Sequence, residues 1–439
     1  LLEFTFRRDG SSTFGEGNRW ANFPSVAVGW SFSEEPFIKR LTGGWLNWGK
    51  IRGSYGKSGQ TFTSAYLAHG LMNIMDKSFF GKTGITTDKP VSPYLTWEKT
   101  RQYDLGLDMD MFNYRLNVKL DYYYKYTSSL IYDIPIPGSL YAFGAQVENA
   151  MEISNEGLEL ELQADILRES AVSWRMKFNM ARNWNRFEKS YSGKDVVDGD
   201  GTLLVVGRPL NGLYVWAHRG YYNSDAEVPR LYKIDGQEIY FNGVATNGIS
   251  GAVGDYRLLD LDGDGNPDSY YAGSPLPLAH GGWVNELMWK NFDLNVLVNF
   301  TIGRKMINNR MGLGFSRQSE DGHLTKLFDY RKLRPWDGVN KKPNAPAWGN
   351  SLSMNTDSAI EKVHHLALKQ ITLGYNLPDR ISKKAGLSGV RFFLTAENLF
   401  YLSNYSGGNP EVVNIYTGRD NGDTYPLPRK YTLGLTLNF

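Results

Sequence analysis

The sequence has no cysteine among its 439 residues, which excludes a disulfide-stapled scaffold and is compatible with either side of a Gram-negative envelope. It has almost no excess charge: 48 Lys and Arg stand against 46 Asp and Glu, a net of +2. That balance argues against a nucleic-acid footprint and against a polybasic membrane anchor. It has no apolar run approaching the roughly 18–20 residues that a membrane-spanning helix needs. Leu1-Leu2-Glu3-Phe4-Thr5-Phe6 carries no initiator Met, basic n-region or signal peptide and starts inside an alternating pattern, so the reading expects the C-terminal piece of something longer.

What is abundant is strand and turn chemistry. Aromatic residues make up 14% (12 Trp, 27 Tyr, 22 Phe) and glycine numbers 47, which speaks against a helical bundle. A mean hydropathy of −0.41 leaves a membrane barrel open, because each barrel strand turns alternate residues to lipid and to a wet lumen. The order of residues decides the matter.

Residues 99–112 are the clearest segment. Tyr103, Leu105, Leu107, Met109 and Met111 share one parity, while Gln102, Asp104, Gly106, Asp108 and Asp110 share the other. This is a period of two. After Asn113 and Tyr114 the pattern repeats with Leu116, Val118, Leu120, Tyr122, Tyr124 and Tyr126, which predicts a hairpin. Similar alternation runs through Leu158, Leu160, Leu162 and Ala164, through Trp174, Met176, Phe178 and Met180, and through Phe292, Leu294, Val296, Val298 and Phe300. It returns at Val390, Phe392, Leu394 and Ala396 and in Tyr431, Leu433, Leu435, Leu437 and Phe439.

A soluble β-sandwich alternates too, but these runs match the ~9–11 residues of a tilted membrane strand rather than the ~5–6 of a globular one. About fourteen runs are counted: 1–7, 24–32, 47–56, 99–112, 115–127, 157–166, 172–185, 202–206, 212–222, 281–290, 292–302, 365–377, 389–399 and 428–439. Short turns at 113–114, 169–170, 291 and 380–389 then fall on one side, and the long connections 57–98, 128–156, 223–280, 303–364 and 400–427 on the other. Short turns inside and long loops outside mark an outer-membrane barrel. In 365–377 the apolar parity switches between Leu368 and Ile371, which predicts a bulge. Starting in mid-strand implies that further strands complete the wall, since an open lipid-facing edge leaves backbone groups unpaired.

Several strings resemble the SusC/RagA-type TonB-dependent transporters of the Gram-negative outer membrane, along nearly the whole chain. They include Arg8-Asp9-Gly10-Ser11-Ser12, Asn22-Phe23-Pro24-Ser25-Val26, Ile51-Arg52-Gly53-Ser54-Tyr55-Gly56, Asn155-Glu156-Gly157-Leu158-Glu159-Leu160, Asp262-Gly263-Asp264-Gly265, Ile371-Thr372-Leu373-Gly374-Tyr375, Glu397-Asn398-Leu399-Phe400 and Pro428-Arg429-Lys430-Tyr431. The resemblance implies an all-β transmembrane antiparallel barrel, about 14 C-terminal strands of a roughly 22-stranded plugged barrel. On this reading residues 1–439 are the C-terminal portion of the barrel, with the plug and N-terminal strands absent. It implies import of an oligosaccharide or peptide across the outer membrane, a SusD-like lipoprotein lid, energy through TonB, and a dimer of transporter–lid pairs. A passive porin, a siderophore receptor and a surface glycan-binding or adhesive protein are the rival readings.

Site candidates lie in the long loops. Asp260, Asp262, Asp264 and Asp268 stand at positions 1, 3, 5 and 9 of a calcium-type loop with Gly265 at position 6, but position 12 is Tyr271 rather than the bidentate Glu. Bound Ca²⁺ and a solvated acidic turn are both open. Tyr132, Tyr141, Phe143, Trp336, Trp348, Tyr405, Tyr416 and Tyr425 are candidate cargo-contacting aromatics, with Tyr221, Tyr222 and Tyr240 in the same loops. Trp174, Trp184 and Tyr126 read as girdle residues at the membrane interfaces. The six histidines show no ligand spacing, and no nucleophile elbow, zinc-protease motif or phosphate loop is present, so no enzyme is expected.

Overall fold

The computed structural model describes the chain except residues 63–67, 69, 71, 88–89, 142–143, 169, 198–202, 229, 233–237, 241–252, 264–267, 310–333, 340–341, 348–355 and 423. The alternating runs form one antiparallel wall whose path takes twelve long strands in chain order. These are β1 (Leu2–Gly10), β2 (Trp20–Trp30), β3 (Leu46–Gln60), β4 (Glu98–Met111), β5 (Leu116–Pro135) and β6 (Ala145–Leu167). Then follow β7 (Val172–Lys189), β8 (Ala279–Trp289), β9 (Phe292–Asn308), β10 (Ile360–Asn376), β11 (Gly389–Ser403) and β12 (Lys430–Asn438). Arg419–Asp420 adds in parallel to the outer end of β9. Among the described residues β1 and β12 do not pair with each other, so the wall is an open sheet here.

Two expected runs are not wall strands. Residues 202–206 reduce to Leu203–Leu204 paired with Val196–Val197, and 212–222 divide into Leu213–Trp216 and His218–Tyr221, paired with Ser269–Gly273 and Tyr256–Leu258. Gly207, Pro209, Gly212 and Gly220 interrupt them, and four residues cannot cross a bilayer. Both belong to the long connection between β7 and β8. Because two strands are removed together, parity is preserved, and the short turns and long loops stay on the sides predicted for them.

Register shows the two solvents directly. One row of paired residues crosses ten strands, β2 to β11: Trp30, Ile51, Leu107, Leu120, Leu160, Met180, Gly281, Phe300, Leu366 and Leu402. The neighbouring row, one residue over and facing the other way, reads Gly29, Arg52, Gly106, Asp121, Glu159, Ala181, His280, Thr301, His365 and Ser403. One row is apolar and the other is polar or small. Among the described residues no second sheet covers the apolar face: Leu105, Leu120, Leu158 and Leu435 are 57%, 37%, 43% and 54% exposed. The accessible surface, 27330 Å², far exceeds the roughly 17,000 Å² of a compact monomer of this mass. Hydrocarbon, rather than a protein core, is the medium this face is built for.

Inward, the strands are braced side to side. Arg52 donates to Asp108 (3.0 Å) and reaches Asp121 (2.5 Å) two strands away by crossing Gly106, where a Cβ would lie 2.4 Å from the guanidinium carbon. Tyr123 reaches Asn183 (3.0 Å) across Gly157 in the same manner. These glycines leave room for a bridge that a side chain would block. Among the described residues the buried apolar clusters lie toward the outer strand ends and their loops, for example Phe14, Phe23, Leu95, Trp97 and Val147, and Met151, Phe187, Val196 and Leu204.

The predicted bulge is present. Between corresponding paired rows β9 advances two residues (Val296 to Val298), β10 three (Ile371 to Leu368) and β11 four (Ala396 to Phe400). Lys369 is the extra residue of β10, and Asn398 of β11 takes φ 53°.

Leu120→Arg, in the middle of the outward run of β5, should lower unfolding free energy in lipid by about 2–4 kcal/mol. Glu159→Arg on the neighbouring inward row should change it by less than about 1 kcal/mol. Denaturant titration of both variants in vesicles measures the difference.

Candidate functional site

The outer ends of β9 and β10 rise above the apolar band and organise the loops. A second bulge at Ile302 and Gly303, where Gly303 has φ 72°, inverts the parity of β9. Beyond it Arg304 and Met306 share the inward face with Val363, while Lys305 and Ile307 turn outward. Each face then receives a loop.

On the inner face Met306, Val363, Tyr405 and Val413 form a buried cluster, and Arg304 lies beside it, 6% exposed. Arg304 Nη1 donates to the Pro410 carbonyl (3.2 Å), and Nη2 donates to those of Val413 (3.0 Å) and Asn414 (2.7 Å). Burial pulls the guanidinium pKa below its ordinary value, and the three carbonyls stand in for water. Asn308 donates to Glu361 (2.8 Å), which also accepts from the backbone of Ser406 (2.9 Å). Loop 404–420 is thereby fastened to the wall.

The bulge in β10 supplies another fastening. Lys369 Nζ lies 3.2 Å from Glu411 Oε2, and His365 Nε2 lies 3.4 Å from Glu411 Oε1. His365, and then Lys369, hold the Glu411 carboxyl down at about 2. The adjacent His364 faces the other way and is exposed, as alternation requires.

On the outer face Ile307 packs with Leu213, Val215 and Ala272 of the connection between β7 and β8. Asp357, just before β10, bonds His218 Nδ1 and accepts from Tyr270 Oη (3.2 Å). Tyr256 is 2% exposed, with Tyr221 stacked on it at 5.3 Å, and burial pushes both phenols up.

The sequence candidates separate by where these anchors leave them. Tyr416 and Tyr425 are 75% and 85% exposed and present open rings. Tyr405 is buried and donates to Asp420 (2.7 Å), so its ring faces loop interior. Tyr132 stacks on Tyr191, Trp336 donates to Asn223 (3.2 Å), and Tyr222 is buried. Phe143 and Trp348 lie outside the described residues, as do the side chains of Tyr141 and Tyr240. In the acidic turn the carboxylates of Asp260, Asp262 and Asp268 come within 4.8 Å of one another, and Asp264 lies outside the described residues. Asp260 accepts from the Gly263 amide (2.6 Å) and Asp268 from that of Asp262 (3.1 Å), while Tyr271 pairs with Tyr214 in a strand. Three of the inward carboxylates are engaged across strands: Asp104 with Ser54 (2.9 Å), Asp108 with Arg52 and Glu161 with Lys119 (3.8 Å).

Arg304, Glu411 and the His218–Asp357 pair were not legible as loop anchors, because their partners are backbone carbonyls or residues far along the chain. Lys369 had a signal, the parity break in β10.

A two-faced antiparallel wall with loops gathered at one end defines an outer-membrane barrel protein. The chain belongs to the TonB dependent receptor-like β-barrel family, whose model matches residues 1–296. It is 31% identical over 467 residues to TonB-dependent receptor P26 of Formosa agariphila, covering 100% of this chain and 44% of that protein. It is 28% identical over 458 residues to TonB-dependent receptor SusC of Bacteroides thetaiotaomicron, covering 100% and 42%. The fold matches a RagAB peptide importer structure in the closed-closed state with TM-score 0.79 at 24% identity, covering 100% of this chain and 46% of that one. The chain thus spans less than half the length of the relatives it matches.

Glu411→Gln should open loop 404–420 about fivefold more often at pH 7, equivalent to about 1 kcal/mol. A carboxyl held below its ordinary 4.5 stabilises the fold above that pH and loses this contribution as pH falls toward about 2. The difference between wild type and variant should therefore shrink below pH 4.5 and vanish below pH 2. Hydrogen exchange of the loop, corrected for intrinsic rates, reads it.

Proposed function

We propose that this chain is the loop-bearing wall of an active importer of SusC/RagA type. In this reading outer loops and a SusD-like lipoprotein lid capture an oligosaccharide or peptide, TonB acts on the plug, and cargo passes along the polar inner face. The transporter–lid pairs associate as dimers. The observation that carries the reading is the pair of adjacent register rows, apolar outside and polar inside, with the longest connections gathered at one end. Family membership and the likeness to SusC and to a peptide importer support it. Passage needs no bond chemistry from the wall: its inward carboxylates brace strands, and Tyr416 and Tyr425 offer flat faces on which sugar rings or peptide side chains stack.

Affinity purification of the protein from outer membranes should bring down a stoichiometric surface lipoprotein. Its absence would favour a passive porin or a siderophore receptor. Tyr416→Ala and Tyr425→Ala should each weaken cargo uptake by roughly 2- to 12-fold, the ~0.5–1.5 kcal/mol of one aromatic contact.

The acidic turn fits a low-affinity calcium site. Three carboxylates converge, but position 12 brings no bidentate ligand. Titration calorimetry should give a Kd of about 10⁻⁴–10⁻³ M, with Asp268→Asn abolishing it. No heat at about 10-fold higher calcium would leave a solvated turn.

A further inference from the structure

A cationic notch interrupts the lipid-facing surface at its outer margin. On β7 the outward run Trp174, Met176, Phe178, Met180 ends at Arg182, and on β9 the run from Phe292 to Ile302 ends at Lys305. Each is the first charged side chain that its strand turns outward beyond the apolar band. Between them β8 starts only at Ala279, so above that level β7 and β9 have no strand between them. Residues Leu276, Pro277 and Leu278 fill part of the gap and leave a notch of about 220 Å³.

The chemistry of the notch is uneven. Its apolar part is Trp184 with the 276–278 segment, and its polar part combines the cations Arg182 and Lys305 with the neutral Asn183, Asn185 and Ser274, with no carboxylate in the lining. The Arg182 guanidinium carbon lies 4.5 Å over the Trp184 ring centroid, and a guanidinium that stacks on a ring keeps its in-plane N–H donors for a planar or tetrahedral anion. Arg208 lies 4.9 Å over Tyr271, another lining residue. Lys305 Nζ donates to the Ala272 carbonyl. Among the described residues none of these three cations forms an ion pair with a carboxylate. Glu156, the outward acid paired with Trp184 across the ladder, accepts from the Tyr122 hydroxyl (3.1 Å).

Cations are tolerated at the edge of the apolar band because their heads reach the headgroup layer, where the cost falls to about 0–1 kcal/mol. A pair of them over an aromatic floor, with apolar rows leading away below, is complementary to an anion that carries hydrocarbon chains. We infer that the notch binds the phosphorylated headgroup of an outer-leaflet saccharolipid, with Arg182 and Lys305 clamping the phosphate and acyl chains lying along Met180 and Phe300. This rests on the outward orientation of β7 and β9 and is independent of which cargo is imported.

The test is native mass spectrometry of the whole receptor, delipidated in detergent and titrated with a bisphosphorylated lipid A and with its dephosphorylated counterpart. The phosphorylated lipid should bind at least tenfold tighter. The Arg182→Ala/Lys305→Ala double variant should lose that preference, and Arg182→Lys/Lys305→Arg should keep affinity within threefold. Heat-modifiable migration on a gel reports folding of each variant, and the comparison of the two lipids on wild type needs no variant. Equal binding of both lipids, an unchanged double variant, or inorganic phosphate held as tightly as the lipid would overturn the assignment.

Discussion

The backbone ladder is what everything else here depends on. In hydrocarbon an unpaired N–H or C=O costs several kcal/mol, so a wall of strands must pair residue with residue without a break. Once paired, the chain has no freedom to choose which side chains meet lipid: odd and even positions are assigned for the length of the ladder. Arg52, Asp121 and Glu159 face the lumen because Ile51, Leu120 and Leu160 face outward. The glycines beneath the Arg52–Asp121 and Tyr123–Asn183 bridges show how little inward volume is left for anything else.

The same constraint governs where the apolar clusters are. A wall between hydrocarbon and water needs no interior of its own, so Phe14, Phe187, Met306 and Ile307 bury themselves among the loops, where protein must exclude water by itself. There both faces of β9 and β10 are covered by protein. The bulge at Ile302–Gly303 marks the change of environment, and the anchors Arg304, Glu411 and Asp357 take over from lipid.

Much of this was written in the sequence, for a physical reason: only an extended strand lying between two unlike media sustains a period of two over ten or more residues. The twelve wall strands, their sidedness and the bulge in β10 followed from it. Leu203–Leu204 and the segments at 213–221 misled because four alternating residues look the same in a loop sheet as in a wall. The loop aromatics were less legible still. A tyrosine such as Tyr405 that seals a loop core and one such as Tyr416 that stands in water have the same composition signature, and only Met306, Val363 and Val413 distinguish them.

The staircase of two, three and four residues across β9, β10 and β11 makes one lysine an arithmetic hinge. Deleting Lys369 would shorten nothing visible. It would set Leu368 directly next to Gln370 in ordinary alternation, so Leu366 and Leu368 would still face acyl chains and His365 and Val363 the channel, and the losses would be the local bend and the ammonium that holds Glu411.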